Sequence, residues 1–356
     1  MITKLRLENF KGHRDTELVL PRFAVLVGDN GSGKTSVLEA LRLPGKLLAH
    51  SEDAPFESTA FEDLLRRDAN HIRLSFDGQV HGQHGTSSIT IIPPDPRSWR
   101  LRVRGVDASG PLEAEGSVGW PDLQVGLARV TTHTGRVALY RFRANQVAAS
   151  AYSAQSETVV AEDGAQTAVV LADLKLADDE RFDRIEGALR QIVPSLRRLQ
   201  IRPMIVDVPD HPQRVRASKL YFDFQGAKNV PAHHASQGTL VTLALLTVLH
   251  GPDRPSVILL DDFDHALHPR AQMELVRMIK ALLELDEFKE TQIIATTHSP
   301  YVLDEVSPAN VIAFALRDDG TVASKPLSEH PDAQKTNGAL KAGELWTLDA
   351  ERDWVR

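Results

Sequence analysis

The chain has 356 residues, 25% of them charged, a formal net charge of −7 and no cysteine. Without cysteine, neither a disulfide framework nor a thiolate metal site is open to it. Net negative charge argues against a whole surface built for nucleic acid, though not against a local basic patch. The amino terminus lacks a signal-peptide core, and the longest apolar run, Leu240 to Leu249, is too short to cross a bilayer, so the chain reads as cytoplasmic with no membrane partner.

Ile2 to Glu8 alternates apolar and polar residues, as an edge strand does. Phe23 to Val27 is an apolar run ending at Gly28, and Gly28-Asp29-Asn30-Gly31-Ser32-Gly33-Lys34-Thr35 meets every fixed position of the phosphate-binding pattern G-x-x-x-x-G-K-[ST]. Helix formers follow at Val37 to Leu41, so the context is strand, glycine turn, helix. The glycines permit backbone angles that a side chain forbids, and successive N–H groups then face inward as an anion nest at a helix N-terminus. The expected nucleotide-binding residues are Asn30, Gly31, Ser32, Gly33, Lys34, Thr35 and Ser36. Lys34 is expected on the β- and γ-phosphates of ATP and Thr35 on its Mg2+.

Residues 44–70, with Pro44, Gly45 and Pro55, read as a loop with one short helix near Phe61 to Arg67. From His71 to Val106 the pattern is β-like and punctuated by Gly and Pro. His81-Gly82-Gln83-His84 has metal-like spacing but no further ligands, and reads as a surface turn. Ala138 to Phe142 is another strand, and residues 153–164 are polar loop. Asp178-Asp179-Glu180 is an acidic helix start, Phe182, Ile185, Leu189 and Ile192 share one face, and Pro194 ends the helix. Between Arg190 and Lys219 lie seven basic residues (Arg190, Arg197, Arg198, Arg202, Arg214, Arg216, Lys219) and two acidic ones (Asp207, Asp210). This stretch is either a solvated face paired with acids elsewhere or a binding patch.

Partners for the loop's chemistry begin only at Ser236. Ser236-Gln237-Gly238-Thr239 opens a strongly apolar helix and leaves backbone N–H groups free for an anion. Val257 to Leu260 is a buried strand ending in Asp261, placed to hold the Mg2+ shell, and Asp262, which could orient or deprotonate the attacking water. Phe263 to Pro269 is a turn. Ile293 to Thr296 leads to His298, placed to contact a γ-phosphate. Each piece has an ordinary structural reading by itself; four in this order, at ends of apolar runs, point to nucleotide hydrolysis.

The set resembles the ABC-type ATPase heads of the SMC and RecF-like superfamily, in particular compact bacterial AAA-type ATPases related to the ATPase half of overcoming-lysogenization-defect nucleases. Leu5 to Gly12 resembles that group's first strand and turn, Gly28 to Thr35 its Walker A loop, and Ser236 to Thr239 its signature. Leu259 to Asp262 resembles Walker B, His268-Pro269 the D-loop region, and Thr297-His298-Ser299-Pro300 the switch histidine. Gly343-Glu344-Leu345-Trp346 and Asp353-Trp354-Val355 are also similar to this group. The resemblance implies an α/β P-loop ATPase head with a mixed central sheet, a β-rich first lobe and a helical inserted lobe. It implies one bilobed head, with a nucleotide-binding core at 1–48 and 220–320, an insert at 50–219 and a tail at 321–356. It also implies a head-to-tail homodimer around two ATPs, in which Ser236 and Gly238 serve the partner's nucleotide, and a Q-loop residue on the Mg2+ at Gln146.

Two departures stand out. The family's catalytic position is usually Glu and here is Asp262, one methylene shorter, which implies slow hydrolysis. Neither a long coiled coil nor a paired-acid nuclease pattern is present, so the expected output is DNA engagement or control of a separately encoded effector, in repair or anti-phage defence. The alternatives are a non-catalytic nucleotide-sensing subunit and a transporter nucleotide-binding subunit. The long β-rich insert and the non-LSGGQ signature argue against the transporter.

Overall fold

The computed structural model describes residues 1–49, 62–80, 82–92, 100–116, 121–152, 159–206, 214–335 and 339–355. The chain falls into two compact units. The first contains Met1–Leu139, Pro255–Asp261 and Leu283–Arg356, and the second Tyr140–Arg254 and Asp262–Leu282.

The first unit begins with β1 (Ile2–Phe10), β2 (His13–Val19), β3 (Phe23–Gly28) and α1 (Lys34–Ala49). Four strands follow, β4 (Ile72–Val80), β5 (Gln83–Ile92), β6 (Arg100–Asp107) and β7 (Gly110–Gly116), and then α2 (Pro121–Thr134). A six-stranded sheet of order β2-β1-β4-β5-β6-β7 pairs antiparallel throughout. β1 alternates because one face is buried: Leu5 and Leu7 point to the core, while Lys4 pairs with Glu17 and Arg6 with Asp15 on the wet face.

A second sheet contains β3 together with β8 (Val137–Tyr140), β12 (Val257–Leu260), β13 (Gln292–Thr296), β14 (Val311–Leu316) and β15 (Val322–Pro326). Its order is β15-β14-β3-β13-β12-β8. β14, β3, β13 and β12 run parallel, and β15 closes one edge antiparallel. β3 is buried at every position, as a parallel strand covered on both faces must be. One core joins Leu5, Leu7 and Leu74 of the first sheet to Leu26, Ile294 and Phe314 of the second and to Val37, Leu38 and Leu41 of α1.

α1 departs from expectation. It continues through Pro44 to Ala49, where the sequence suggested a loop from residue 44. Leu43, Pro44 and Leu47 are buried there, so packing outweighs the hydrogen bond that proline cannot make. Of the short helix expected near Phe61 to Arg67, the described residues show Glu62 as helical and the remainder as turn and bridge. Leu65 bridges Phe10, Lys11 N donates to Leu64 O at 2.7 Å, and Arg66 N donates to Asn9 O at 3.2 Å, so this segment pairs with the β1–β2 corner. Phe61 itself, His81, residues 153–158, Asp207 and Asp210 lie outside the described residues.

The second unit is helical around a three-stranded sheet. Its helices include α3 (Thr167–Ala177), α4 (Asp179–Ile192), α5 (Gln237–His250) and α6 (Pro269–Leu283). Asp178 caps α4 by accepting from Arg181 N, and Phe182, Ile185, Leu189 and Ile192 form its buried face, as the sequence predicted. The sheet has order β11-β10-β9, with β9 (Leu196–Val206), β10 (Val215–Phe224) and β11 (Ala227–Pro231). α5 is buried from Gly238 to His250, which accounts for its apolar sequence all round.

Candidate nucleotide site

The loop between β3 and α1 is shaped by three left-handed glycines, with φ of +140° at Gly28, +78° at Gly31 and +103° at Gly33. A Cβ at Gly28 would strike the Phe314 carbonyl and stand 2.9 Å from Ser32 Oγ. Lys34 is 6% exposed, and its Nζ donates to Gly28 O at 2.7 Å and Asp29 O at 2.9 Å, which sets the ammonium over the loop. Ser32 Oγ is buried without a hydrogen-bond partner among the described residues. An unmatched buried hydroxyl costs about 1–3 kcal/mol; within a nest of amides it suits a phosphate oxygen. The residues present therefore fit a bound nucleotide.

Strand register supplies the other half. β12 pairs with β13 through Leu260 opposite Ala295, so the next positions, Asp261 and Thr296, meet at the strand ends. Thr296 also pairs with Leu26, which brings this corner to the mouth of the loop. Thr296 Oγ1 donates to Asp261 Oδ1 at 2.8 Å, and Thr35 Oγ1 donates to the same oxygen at 3.3 Å. Two ligands at right angles around Mg2+, each about 2.1 Å from it, lie about 3 Å apart. The Thr35 hydroxyl and Asp261 carboxylate thus have the chemistry and spacing for that ion. His298 follows β13 and is exposed, while Thr297 is held by a bond from its own N–H to Leu26 O at 3.3 Å.

The remaining sequence candidates belong to the second unit. Asp262 is exposed and has a φ of +50°, left-handed backbone that Asp tolerates better than most residues. Ser236 caps α5, its Oγ accepting from Thr239 N at 3.2 Å. Gly238 is buried at the first turn, where a Cβ would stand 2.9 Å from Ala266 O. Its glycine is therefore also required by the close approach of the 264–268 turn. Gln272 Nε2 pins that turn by donating to Asp264 O and Leu267 O, both at 3.1 Å. Gln146 lies half-buried in a helical turn, Ala144–Val147.

The basic stretch resolves into a sheet face. Cross-strand pairs Arg198–Asp223, Gln200–Tyr221 and Arg202–Lys219 alternate with the core-facing pairs Leu199–Phe222 and Ile201–Leu220. The Arg202 guanidinium stacks 4.5 Å from the Tyr221 ring centroid and bonds to Gln200 and Asn229. On β6 and β7, by contrast, Arg102 and Arg104 each pair with a glutamate, Glu115 and Glu113. Together with the hydrogen bond from Asn229 N, the nearby Arg198 and Lys228 help to lower the Asp223 pKa, whereas among the described residues Arg202 and Lys219 make no ion pair.

Sequence reasoning missed Thr296 and His13. His13 sits behind the loop, with Nε2 3.2 Å from Gly33 O. A polar residue ending a buried strand beside a carboxylate strand was the available signal for Thr296. No local signal marks His13. His330, Asp332 and Asp349 also cluster at metal-ligand spacing. His330 Nδ1 accepts from Asp332 N at 3.2 Å, so the ring proton is on Nε2, facing Asp349 Oδ2 at 3.6 Å. At that distance Nε2 is buried without a hydrogen-bond partner among the described residues.

A parallel-centred sheet carrying a glycine nest, with a hydroxyl and a strand-end carboxylate at its mouth, defines the P-loop ATPase head of ABC type. Residues 133–304 match the family model described as "AAA domain, putative AbiEii toxin, Type IV TA system", and residues 1–73 match the model described as "AAA ATPase domain". The Septu protein PtuA of Bacillus thuringiensis is 35% identical over 75 residues, 21% of this chain and 18% of that protein. The DNA replication and repair protein RecF of Enterobacter sp. (strain 638) is 32% identical over 107 residues, 30% of this chain and 28% of RecF. The Retron Ec83 probable ATPase of Escherichia coli is 27% identical over 127 residues, 36% of this chain and 22% of that protein. The chain thus spans under a third of the length of these relatives. A solved SMC head bound to the C-winged helix domain of ScpA superposes with a TM-score of 0.60 at 15% identity, covering 92% of this chain and 99% of that one, a likeness of fold. The chain thus carries two AAA-type family matches on the fold of an SMC head.

Proposed function

We propose that the chain binds ATP with Mg2+ through Asn30 to Ser36 and Asp261, hydrolyses it slowly, and closes head to tail on a second copy of itself. The observation that carries this reading is the meeting of Thr35 and Asp261 at 3.3 Å beside an amide nest, from segments far apart in the chain. In this reading Asp262 orients the attacking water, His298 meets the γ-phosphate, and Gln146 reaches the metal. Ser236 and Gly238 serve the nucleotide of the opposite copy. The bound nucleotide would supply the reactive phosphoanhydride; the chain's own residues hold, orient and screen it.

The proposed output is DNA engagement or control of a separately encoded effector, in repair or anti-phage defence, within the cytoplasm. The basic face of β9–β11 supports the DNA limb, as does similarity to a protein named for DNA replication and repair. The solved SMC head bound to a domain of another protein supports the effector limb. Among the described residues no helix is long and apolar enough to cross a membrane. A second reading, a nucleotide sensor without turnover, draws on the shortened carboxylate at Asp262.

Multiple-turnover phosphate release decides between the two. The ATPase reading expects release that Lys34→Ala abolishes. Nucleotide binding without release, in wild type, would favour the sensor.

A further inference from the structure

We propose that His13 is a positioning residue for the nucleotide loop: its Nε2–H holds the Gly33 carbonyl and thereby turns the Lys34 amide toward the phosphates. The inference rests on the nucleotide-binding reading of Gly28–Thr35 and adds a residue outside the motif.

His13 opens β2 and is 0% exposed. Its Nδ1 lies 3.0 Å from Thr16 Oγ1 and its Nε2 3.2 Å from Gly33 O. A carbonyl only accepts, so Nε2 carries the proton and Nδ1 accepts the Thr16 hydroxyl. Burial lowers the ring's pKa to about 4, so this tautomer persists at neutral pH.

Gly33 O also accepts from Val37 N at 3.2 Å in the first turn of α1. His13 fills the carbonyl's second lone pair. The peptide is planar and trans, so the Gly33 C=O and Lys34 N–H point in opposite directions. Fixing one fixes the other, and the first N–H groups of a helix have no intrahelical acceptor.

Glycine needs such help, because no side chain limits its backbone. A Cβ at Gly33 would stand 2.9 Å from His13 Nε2 and 2.8 Å from Val322 Cγ2, so the imidazole occupies the space the glycine leaves. The β1–β2 corner that carries His13 is itself anchored. Val322 N donates to Gly12 O at 3.0 Å, and Lys11 pairs with Glu39 of α1. A donor fixed before binding lowers the ordering cost of the loop.

The test is titration calorimetry of the full chain with Mg·ADP and Mg·ATP, for wild type, His13→Leu, His13→Gln, Thr16→Val and Lys34→Ala, with melting curves taken without nucleotide. His13→Leu should weaken both nucleotides about tenfold. His13→Gln, whose amide reaches to the Nε2 position, should recover affinity to within about threefold of wild type. Thr16→Val frees the tautomer and should weaken binding a few-fold at unchanged melting temperature. Should His13→Leu fail to fold, the Gln and Val variants carry the test. Wild-type affinity in His13→Leu or in Thr16→Val, or a loss in His13→Gln as large as that in His13→Leu, overturns the inference. Wild type that binds no nucleotide would sink the ATPase reading itself. Binding that Lys34→Ala abolishes but the His13 and Thr16 changes leave intact would sink only this inference.

Discussion

Thr35 Oγ1 stands 3.3 Å from Asp261 Oδ1, and Thr296 holds that same oxygen at 2.8 Å from the other side. The carboxylate is thus oriented before any cation arrives. Asp261→Asn removes the charge while keeping the shape, and should weaken Mg·ATP at least about tenfold, which is about 1.4 kcal/mol. ATP in excess EDTA should bind wild type and variant alike. Calorimetry with and without Mg2+ checks this; equal losses in both conditions would mean that Asp261 supports the loop and not the ion.

Asp262 combines a short carboxylate with a φ of +50°. Asn shares its tolerance for left-handed backbone, whereas Glu must accept strain of about 1–2 kcal/mol. Asp262→Asn should therefore melt like wild type and lose turnover by about a hundredfold or more. Asp262→Glu should raise turnover several-fold while lowering the melting temperature. A turnover that hardly rises would show that carboxylate reach does not limit the rate.

The buried His13 predicts an acid limb in stability. Its pKa is lowered to about 4 in the fold against 6.5 when exposed. Between these values the unfolded chain binds more protons, so stability falls as pH drops from about 6.5 toward 4, by about 3 kcal/mol at most from this group. His13→Gln should flatten that limb relative to wild type in denaturant melts at stepped pH. Parallel curves for the two proteins would contradict the assignment of the limb to His13.

The unpaired cations on β9–β10 predict salt-dependent DNA binding. Removing Arg202 and Lys219 together should lower duplex affinity and reduce the log–log salt slope by about 1–2. Fluorescence anisotropy from 50 to 200 mM salt reads both. An unchanged slope would move the DNA contact elsewhere or favour the effector limb.

Much of this site is legible in the sequence because it is local. Gly28 to Lys34 fixes a loop by glycine spacing alone, and Val257 to Asp261 announces a buried strand with a charged end. What was not legible is non-local. Thr296 matters because the β12–β13 register sets it opposite Asp261, and His13 because the β1–β2 corner packs behind Gly33. α1 passes through Pro44 because Leu43 and Leu47 are buried against the core, which overrides the proline as a breaker. The basic run from Arg190 was ambiguous until the β9–β10 register sorted Arg198, Arg202 and Lys219 onto one face and Leu199 and Leu220 onto the other.

The central claim is that nucleotide closes two copies of this chain through the α5 signature. Light scattering of Asp262→Ala, which should trap the bound state, tests it most directly. The account predicts a monomer without nucleotide, a doubled mass with Mg·ATP, and no doubling once Ser236→Arg is added. One unchanged mass with and without ATP would contradict it.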